Sequence, residues 1–281
     1  MIVNSSALFK IAKENNYAIP ATNFIDSLTA KVYTETAESL GLPLILAYAQ
    51  SHQDYLDLEE AAWIGHYYAN KAKVPIVLHL DHGTDLDFIK KAINLGFNSV
   101  MFDGSSLNYD ENVRLTKQVV DYAHGCGVTV EGEIGHVGSN AVSYEGESND
   151  DSHYTEVEDA YNFIQATHVD ALAVSIGTAH GQYVGEPKIN FERLHDIVEK
   201  VDVPLVLHGG SSSGDANLKR CAKEGMQKIN IFTDLIVAAH KEAQKDSLHY
   251  MALRENMKNG LKQVLVNYYH VFETKPVKWE V

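Results

Sequence analysis

Eight times between Tyr17 and Asp234 a short, β-rich apolar run gives way to a segment of helical periodicity, and no other feature narrows the fold as far. The predicted strands are Tyr17–Phe24, Leu42–Ala49, Val74–Gly83, Asn98–Phe102, Val128–Glu133, Asp170–Ile176, Val203–Leu207 and Gln227–Ile231. Between them fall predicted helices at Ser27–Ser39, Leu56–Lys71, Asp85–Leu95, Asp110–His124, Thr155–Thr167, Phe191–Lys200 and Asp215–Glu224. A further helix, Ser6–Asn15, precedes the first strand, and helical patterns fill most of the chain after the last. Strands alternating with helices build a parallel sheet covered by those helices. At 281 residues, near the roughly 250 typical of the fold, the pattern predicts an α/β protein: a single (β/α)8 TIM barrel domain over residues 1–281 with extra C-terminal helices. Only Gly138–His153 breaks the rhythm, a long polar and acidic loop that is either a functional lid or merely mobile.

Charge narrows the partners. Lys plus Arg number 23 against 38 Asp plus Glu, a net −15, which argues against nucleic acid or an anionic membrane as partner. A phosphate ligand would therefore be held by backbone N–H groups and helix N-termini rather than by a basic patch. Cys126 and Cys221 lie far apart and form no Cys-x-x-Cys, so neither a disulfide framework nor a thiolate metal site is expected. With no apolar signal core at the N-terminus and no run of membrane-spanning length, the expectation is a soluble, cytoplasmic protein.

Val74–Gly83, Val-Pro-Ile-Val-Leu-His-Leu-Asp-His-Gly, is the strand where apolar sequence ends most abruptly in chemistry. Alternation places Ile76, Leu78 and Leu80 on a face suited to packing under helices, and Val77, His79 and Asp81 on the other. His82 comes where the strand gives way to Gly83, so parity does not give its direction. In a barrel of this kind reactive groups gather at the carboxyl ends of the strands. Asp81 and His82 follow the third strand, and Asp103, Gly104 and Ser105 the fourth; Glu131 and Glu133 share one face at the end of the fifth. His180 follows the sixth, His208 the seventh, and the eighth supplies Asn230. Three histidines meeting one rim, with an open position, describe a catalytic zinc site. Gly209, Gly210 and Ser211, with Asn230, Ile231, Phe232 and Thr233 leading into a helix, read as a phosphate cradle or as no more than a tight βα turn.

In combination these motifs resemble the class II, zinc-dependent ketose-bisphosphate aldolases, of the fructose- and tagatose-bisphosphate type. The resemblance runs from Ala18-Ile-Pro-Ala-Thr-Asn23 to Lys228-Ile-Asn-Ile-Phe-Thr-Asp234. Between them lie Leu78-His-Leu-Asp-His-Gly83, Ser99-Val-Met-Phe-Asp-Gly-Ser105, Val130-Glu-Gly-Glu-Ile-Gly135, Ile176-Gly-Thr-Ala-His-Gly181 and Leu207-His-Gly-Gly-Ser211. It implies His82, His180 and His208 as zinc ligands and Asp81 as the acid/base that exchanges a proton with the substrate oxygen. Asn23, Gly181, Gly209, Gly210, Ser211 and Asn230 to Thr233 would bind substrate, chiefly the phosphate of the dihydroxyacetone phosphate half. A monovalent cation, Na+ or K+, would sit near that phosphate, with Asp103 and Glu133 as acidic positions near the zinc or at a second metal. The implied activity is reversible cleavage of a ketose 1,6-bisphosphate, fructose first and tagatose second, by a homodimer or homotetramer.

Departures from the family pattern fall mainly at the far end of the substrate. The loop after the fifth strand reads Gly138-Ser139-Asn140-Ala141, without the glutamate that members place two residues after Gly-Gly, leaving Glu145 or Glu147 as substitutes or as solvated charges. Ala49 stands where a serine is usual, Ser211-Ser212 where Ser-Gly is usual, and a C-terminal Asp-Pro-Arg is missing, with Arg254 and Lys258 as candidate replacements. An aldolase for a different ketose phosphate, a non-catalytic sugar-phosphate binder, and a metal-dependent hydrolase stay open as alternatives. Retention of Asp81 speaks against the binder, and the glycine-rich seventh loop against the hydrolase.

Overall fold

The computed structural model describes residues 1–137, 154–181, 183, 187–245 and 249–279. Eight strands pair in parallel, in chain order, and close into a barrel: β1 (Ile19–Asn23), β2 (Leu44–Ala49), β3 (Ile76–Gly83), β4 (Ser99–Phe102), β5 (Thr129–Ile134), β6 (Ala171–Val174), β7 (Leu205–Leu207) and β8 (Met226–Ile231). Helix α1 (Ser5–Asn15) precedes β1. After β1 to β7 come α2 (Ser27–Leu40), α3 (Leu58–Lys71), α4 (Leu86–Asn94), α5 (Tyr109–Gly125), α6 (Val157–Thr167), α7 (Phe191–Lys200) and α8 (Asp215–Glu224). The extra C-terminal helices are α9 (Thr233–Ala243) and α10 (Tyr250–Val271), and α10 packs on α9, α2 and α8. The expected (β/α)8 architecture is thus the one observed.

Polar residues at the helix starts do the local work. Asp26, Asp57, Asp85 and Asn108 each accept a backbone N–H through the side chain at the entry to α2, α3, α4 and α5. Six strands, β1 to β4, β6 and β7, are shorter than the periodicity predicts, and hydrogen bonds show why in two of them. β6 stops at Val174 because the Ser175 N–H turns to Thr155 Oγ1 (2.8 Å) and the Ile176 carbonyl accepts from Asn190 (2.8 Å), although both residues stay buried. β7 begins only at Leu205, whose N–H is taken by the Gln227 side chain (2.9 Å).

The apolar residues separate into two layers. Ile76, Leu78 and Leu80 join Ile64, Ile89 and Ile93 in the large cluster between sheet and helices. Val77 faces inward with Ile19, Ile45, Ala171 and Val206, where Leu8, Phe9 and Ala12 of α1 form a floor at the amino ends of the strands. Above that floor the barrel interior changes character, and His79, Asp81, Glu131 and Lys228 are all buried there. Ions so placed cost several kcal/mol each unless they pair. Their pairing builds the base of the site.

Candidate active site

The unreadable direction of His82 is decided by the backbone. β3 slips register against β4 between Leu80 and Gly83, and His82 takes φ +46°, a left-handed conformation rare for a residue with a Cβ. The irregularity turns Asp81 and His82, sequence neighbours, into the same mouth. His82 Nδ1 reaches Asp103 Oδ2 (2.8 Å) and its Nε2 reaches His208 Nδ1 (2.9 Å), while His208 Nε2 reaches Glu131 Oε1 (2.9 Å). The His180 ring lies 5.0 Å from that of His82 and 6.0 Å from that of His208.

Hydrogen-bond logic assigns the tautomers. Asp103 and Glu131 are carboxylates, hence acceptors, so His82 donates from Nδ1 and His208 from Nε2. The lone pairs of His82 Nε2 and His208 Nδ1 then face each other at 2.9 Å, an arrangement that requires a shared cation, either a proton or a metal ion. His180 Nε2 is buried without a hydrogen-bond partner among the described residues. One ligand atom from each of these three histidines lies within 4.8 Å of the others. A neutral three-imidazole donor set, two of its rings oriented by carboxylates, fits a zinc ion and its supporting shell. Asp103 and Glu133 form a second such group with His82.

The charges explain the titration. Burial works against a charged His82, but Asp81 and the Asp103 hydrogen bond outweigh it and lift the imidazolium to about 10. His180 is driven well below the ordinary histidine range by burial and by the charge of His82 and His208. Burial, reinforced by Asp103, holds Glu133 well above the carboxylate range. Asp81 is also buried, which would raise it, yet His82 and Lys228 keep it well below that range. Two carboxyl groups of one site are thus pushed apart, the pattern expected where acid and base roles divide.

Asp81 is held from two strands: Asn23 Nδ2 donates to Oδ2 (2.9 Å), and Asn230 Nδ2 lies 3.0 Å from both oxygens. Beside them, Gly209 adopts φ +65°, and a Cβ there would stand 2.6 Å from the Ala179 backbone, so the seventh loop can pass this close only as glycine. Ser211 Oγ accepts the Phe232 and Asp234 N–H groups (3.2 and 3.3 Å) at the start of α9. Ser212, in place of the usual glycine, has φ +60° and is held there by Asp234, which accepts from its N–H (2.7 Å) and its Oγ (2.6 Å) and also from the Tyr268 hydroxyl of α10. Gly209→Ala is expected to destabilise the fold by at least about 1–2 kcal/mol from the left-handed backbone alone, measured as a lowered denaturation midpoint. An unchanged midpoint would show that the loop relaxes freely.

The fold therefore brings His82, His180, His208, Asp81, Asp103, Glu133, Asn23 and Asn230 into one cluster, with Gly209, Gly210, Ser211 and the start of α9 adjoining it. Gly181 follows His180 at φ +91°. Ile231 sends its side chain into the outer apolar layer and offers the site only its backbone, and the Phe232 ring packs against His52 (4.8 Å). The residues missed as functional candidates are His79, Glu131 and Lys228; the inward parity of His79 and Glu131 was the available signal. Glu145 and Glu147 lie outside the described residues. Arg254 stands over Tyr250 of its own helix, and Lys258 pairs with Glu255.

A barrel whose strand ends converge on three histidines and an aspartate defines a class of enzyme, and comparison with known proteins says which. The family model described as fructose-bisphosphate aldolase class-II matches residues 3–276, so the chain belongs to that family, and it is an aldolase, a carbon–carbon lyase. Its structure is similar to that of the YdjI aldolase from Escherichia coli K12, at 31% identity over 98% of each chain with a TM-score of 0.88. It is also similar to a putative fructose-1,6-bisphosphate aldolase from Coccidioides immitis, at 26% identity over 95% of each chain with a TM-score of 0.88. A fructose-bisphosphate aldolase from Campylobacter jejuni, 19% identical over 98% of this chain and 96% of its own with a TM-score of 0.78, shares the fold.

Proposed function

We propose that the protein cleaves a ketose 1,6-bisphosphate reversibly to dihydroxyacetone phosphate and an aldehyde such as glyceraldehyde 3-phosphate, with fructose 1,6-bisphosphate the first substrate and tagatose 1,6-bisphosphate the second. The observation that carries this reading is the buried Asp81 carboxylate beside three convergent imidazoles. His82, His180 and His208 would hold zinc, which supplies Lewis-acid polarisation of the ketone and stabilises charge developing on its oxygen. Asp81, fixed by Asn23 and Asn230, exchanges the proton of the hydroxyl at the bond being broken. Gly181, the Gly209–Ser211 turn and the first N–H groups of α9 hold the near phosphate and orient the ketone. The same reading includes a monovalent cation near the phosphate and a cytoplasmic homodimer or homotetramer. No helix among the described residues is long and apolar enough to cross a membrane.

A related reading, a different ketose phosphate, is favoured by the position of Arg254 and Lys258, whose charges are engaged on α10. Cleavage of both bisphosphates side by side, with and without a chelator, tests these readings. Chelator-sensitive turnover of either bisphosphate is expected, and their ratio names the preferred substrate. Failure of both, with metal bound, would reject the bisphosphate assignment.

Zinc binding should also release protons. His82 has its affinity for a proton raised from the ordinary 6.5 to about 10, so in the metal-free protein near pH 7.5 it carries the proton that a metal ion must displace. Uptake of zinc is expected to liberate about one proton per site, measured by calorimetry in two buffers of different ionisation enthalpy, and affinity should rise with pH towards that value. Zinc uptake without proton release would refute the shared-cation arrangement of His82 and His208.

A further inference from the structure

Beneath the histidines lies a second group with the geometry of a metal cage: His79, Asp81 and Glu131, fully buried, their ligand atoms within 4.8 Å of one another. A cation already stands among them. The Lys228 ammonium, itself wholly buried, is 2.7 and 3.0 Å from the Glu131 oxygens, 3.1 Å from His79 Nε2 and 3.6 Å from Asp81 Oδ1. An ammonium only donates, so His79 accepts at Nε2 and donates from Nδ1 to Ser99 Oγ (2.8 Å), which fixes its tautomer.

The cage shares two members with the site above it. Glu131 accepts from Lys228 and from His208 Nε2, and the second bond makes His208 present Nδ1 upwards. Asp81 is held from above by two asparagine amides, and from below by the Lys228 charge. Removing the ammonium would leave the buried Glu131 without its cation and Asp81 without its support from below, and each would be free to turn away.

We propose that Lys228 is a positioning residue for the aldol reaction: an internal cation that holds Asp81 and, through Glu131, His208 in the orientation the site requires. The inference rests on the aldolase reading for its kinetic consequence and on geometry alone for its consequence at the metal site. Lys228 is wholly buried beneath the site. It acts through its two carboxylate neighbours.

Two variants test it. Lys228→Met removes the charge at similar length, and the double variant Lys228→Met/Glu131→Gln removes both charges while leaving an amide oxygen to accept from His208, so that folding does not depend on an unpaired buried anion. Each folded variant is expected to bind zinc about 10–100-fold more weakly in a chelator competition, to alter the visible spectrum of its cobalt(II) form, and to lose about 10–100-fold in kcat at saturating metal. KM is expected to stay within about threefold. A merely structural lysine would lower the melting temperature and leave kcat per loaded site, metal affinity and cobalt spectrum unchanged, and that result overturns the proposal. The parallel wild-type assay separates the two readings: an inactive wild type sinks the substrate assignment, while the affinities and spectra still decide the role of Lys228.

Discussion

Asp81→Ala will retain zinc and bind a dihydroxyacetone phosphate analogue, yet lose about 10²–10⁴-fold in kcat, the usual contribution of a positioned acid/base. The carboxylate is fully buried, accepts from Asn23 and Asn230, and is held well below the ordinary carboxylate range, so on the proposed mechanism its alanine variant removes the proton acceptor while leaving the three histidines in place. The measurement pairs metal content with single-turnover cleavage. Retained metal with unchanged turnover would take Asp81 out of the mechanism. The loss should fall on kcat rather than KM, because a proton transfer at the reacting oxygen is completed only in the transition state.

His180→Ala will lose metal. His180 Nε2 is buried without a partner among the described residues, and burial beside His82 and His208 keeps it neutral, so its lone pair is available to a metal ion. Without it two imidazoles remain. Metal content after dialysis should fall to background, and turnover should fall by about 10²–10⁴-fold, the equivalent of the several kcal/mol that a Lewis acid supplies. Full zinc retention would refute the ligand assignment. Asp103→Asn is the informative comparison, since Asp103 orients His82 through Nδ1 (2.8 Å) without belonging to the three-histidine set, and its loss should stay in the 10–100-fold range of supporting-shell changes.

Much of this site could be read from strand parity. The alternation in Ile76–Gly83 separated Leu78 and Leu80, which pack under helices, from Val77, His79 and Asp81, which face the barrel interior, and the structure keeps that division. Parity failed at His82 because a register slip and a left-handed residue interrupt the two-residue repeat there. It holds at β8 as well, where Asn230 faces the site and Ile231, named from the family resemblance for the phosphate run, turns its side chain to the outer layer. The end of β6 and the start of β7 were set by side chains that captured backbone N–H groups, Thr155 before α6 and Gln227 of β8, which apolar runs do not encode.

What the sequence by itself determined is local and periodic: eight strands, their helices, the two faces of each strand and the polar groups waiting at their ends. These follow from repeats of two and 3.6 residues within a few positions. What only the tertiary structure decided is how those ends meet. Lys228 and His79 are 149 residues apart in the chain, and His208 and His82 are 126 apart. Which nitrogen each histidine presents, and which cation a buried carboxylate holds, depend on contacts between strands that only barrel closure brings together.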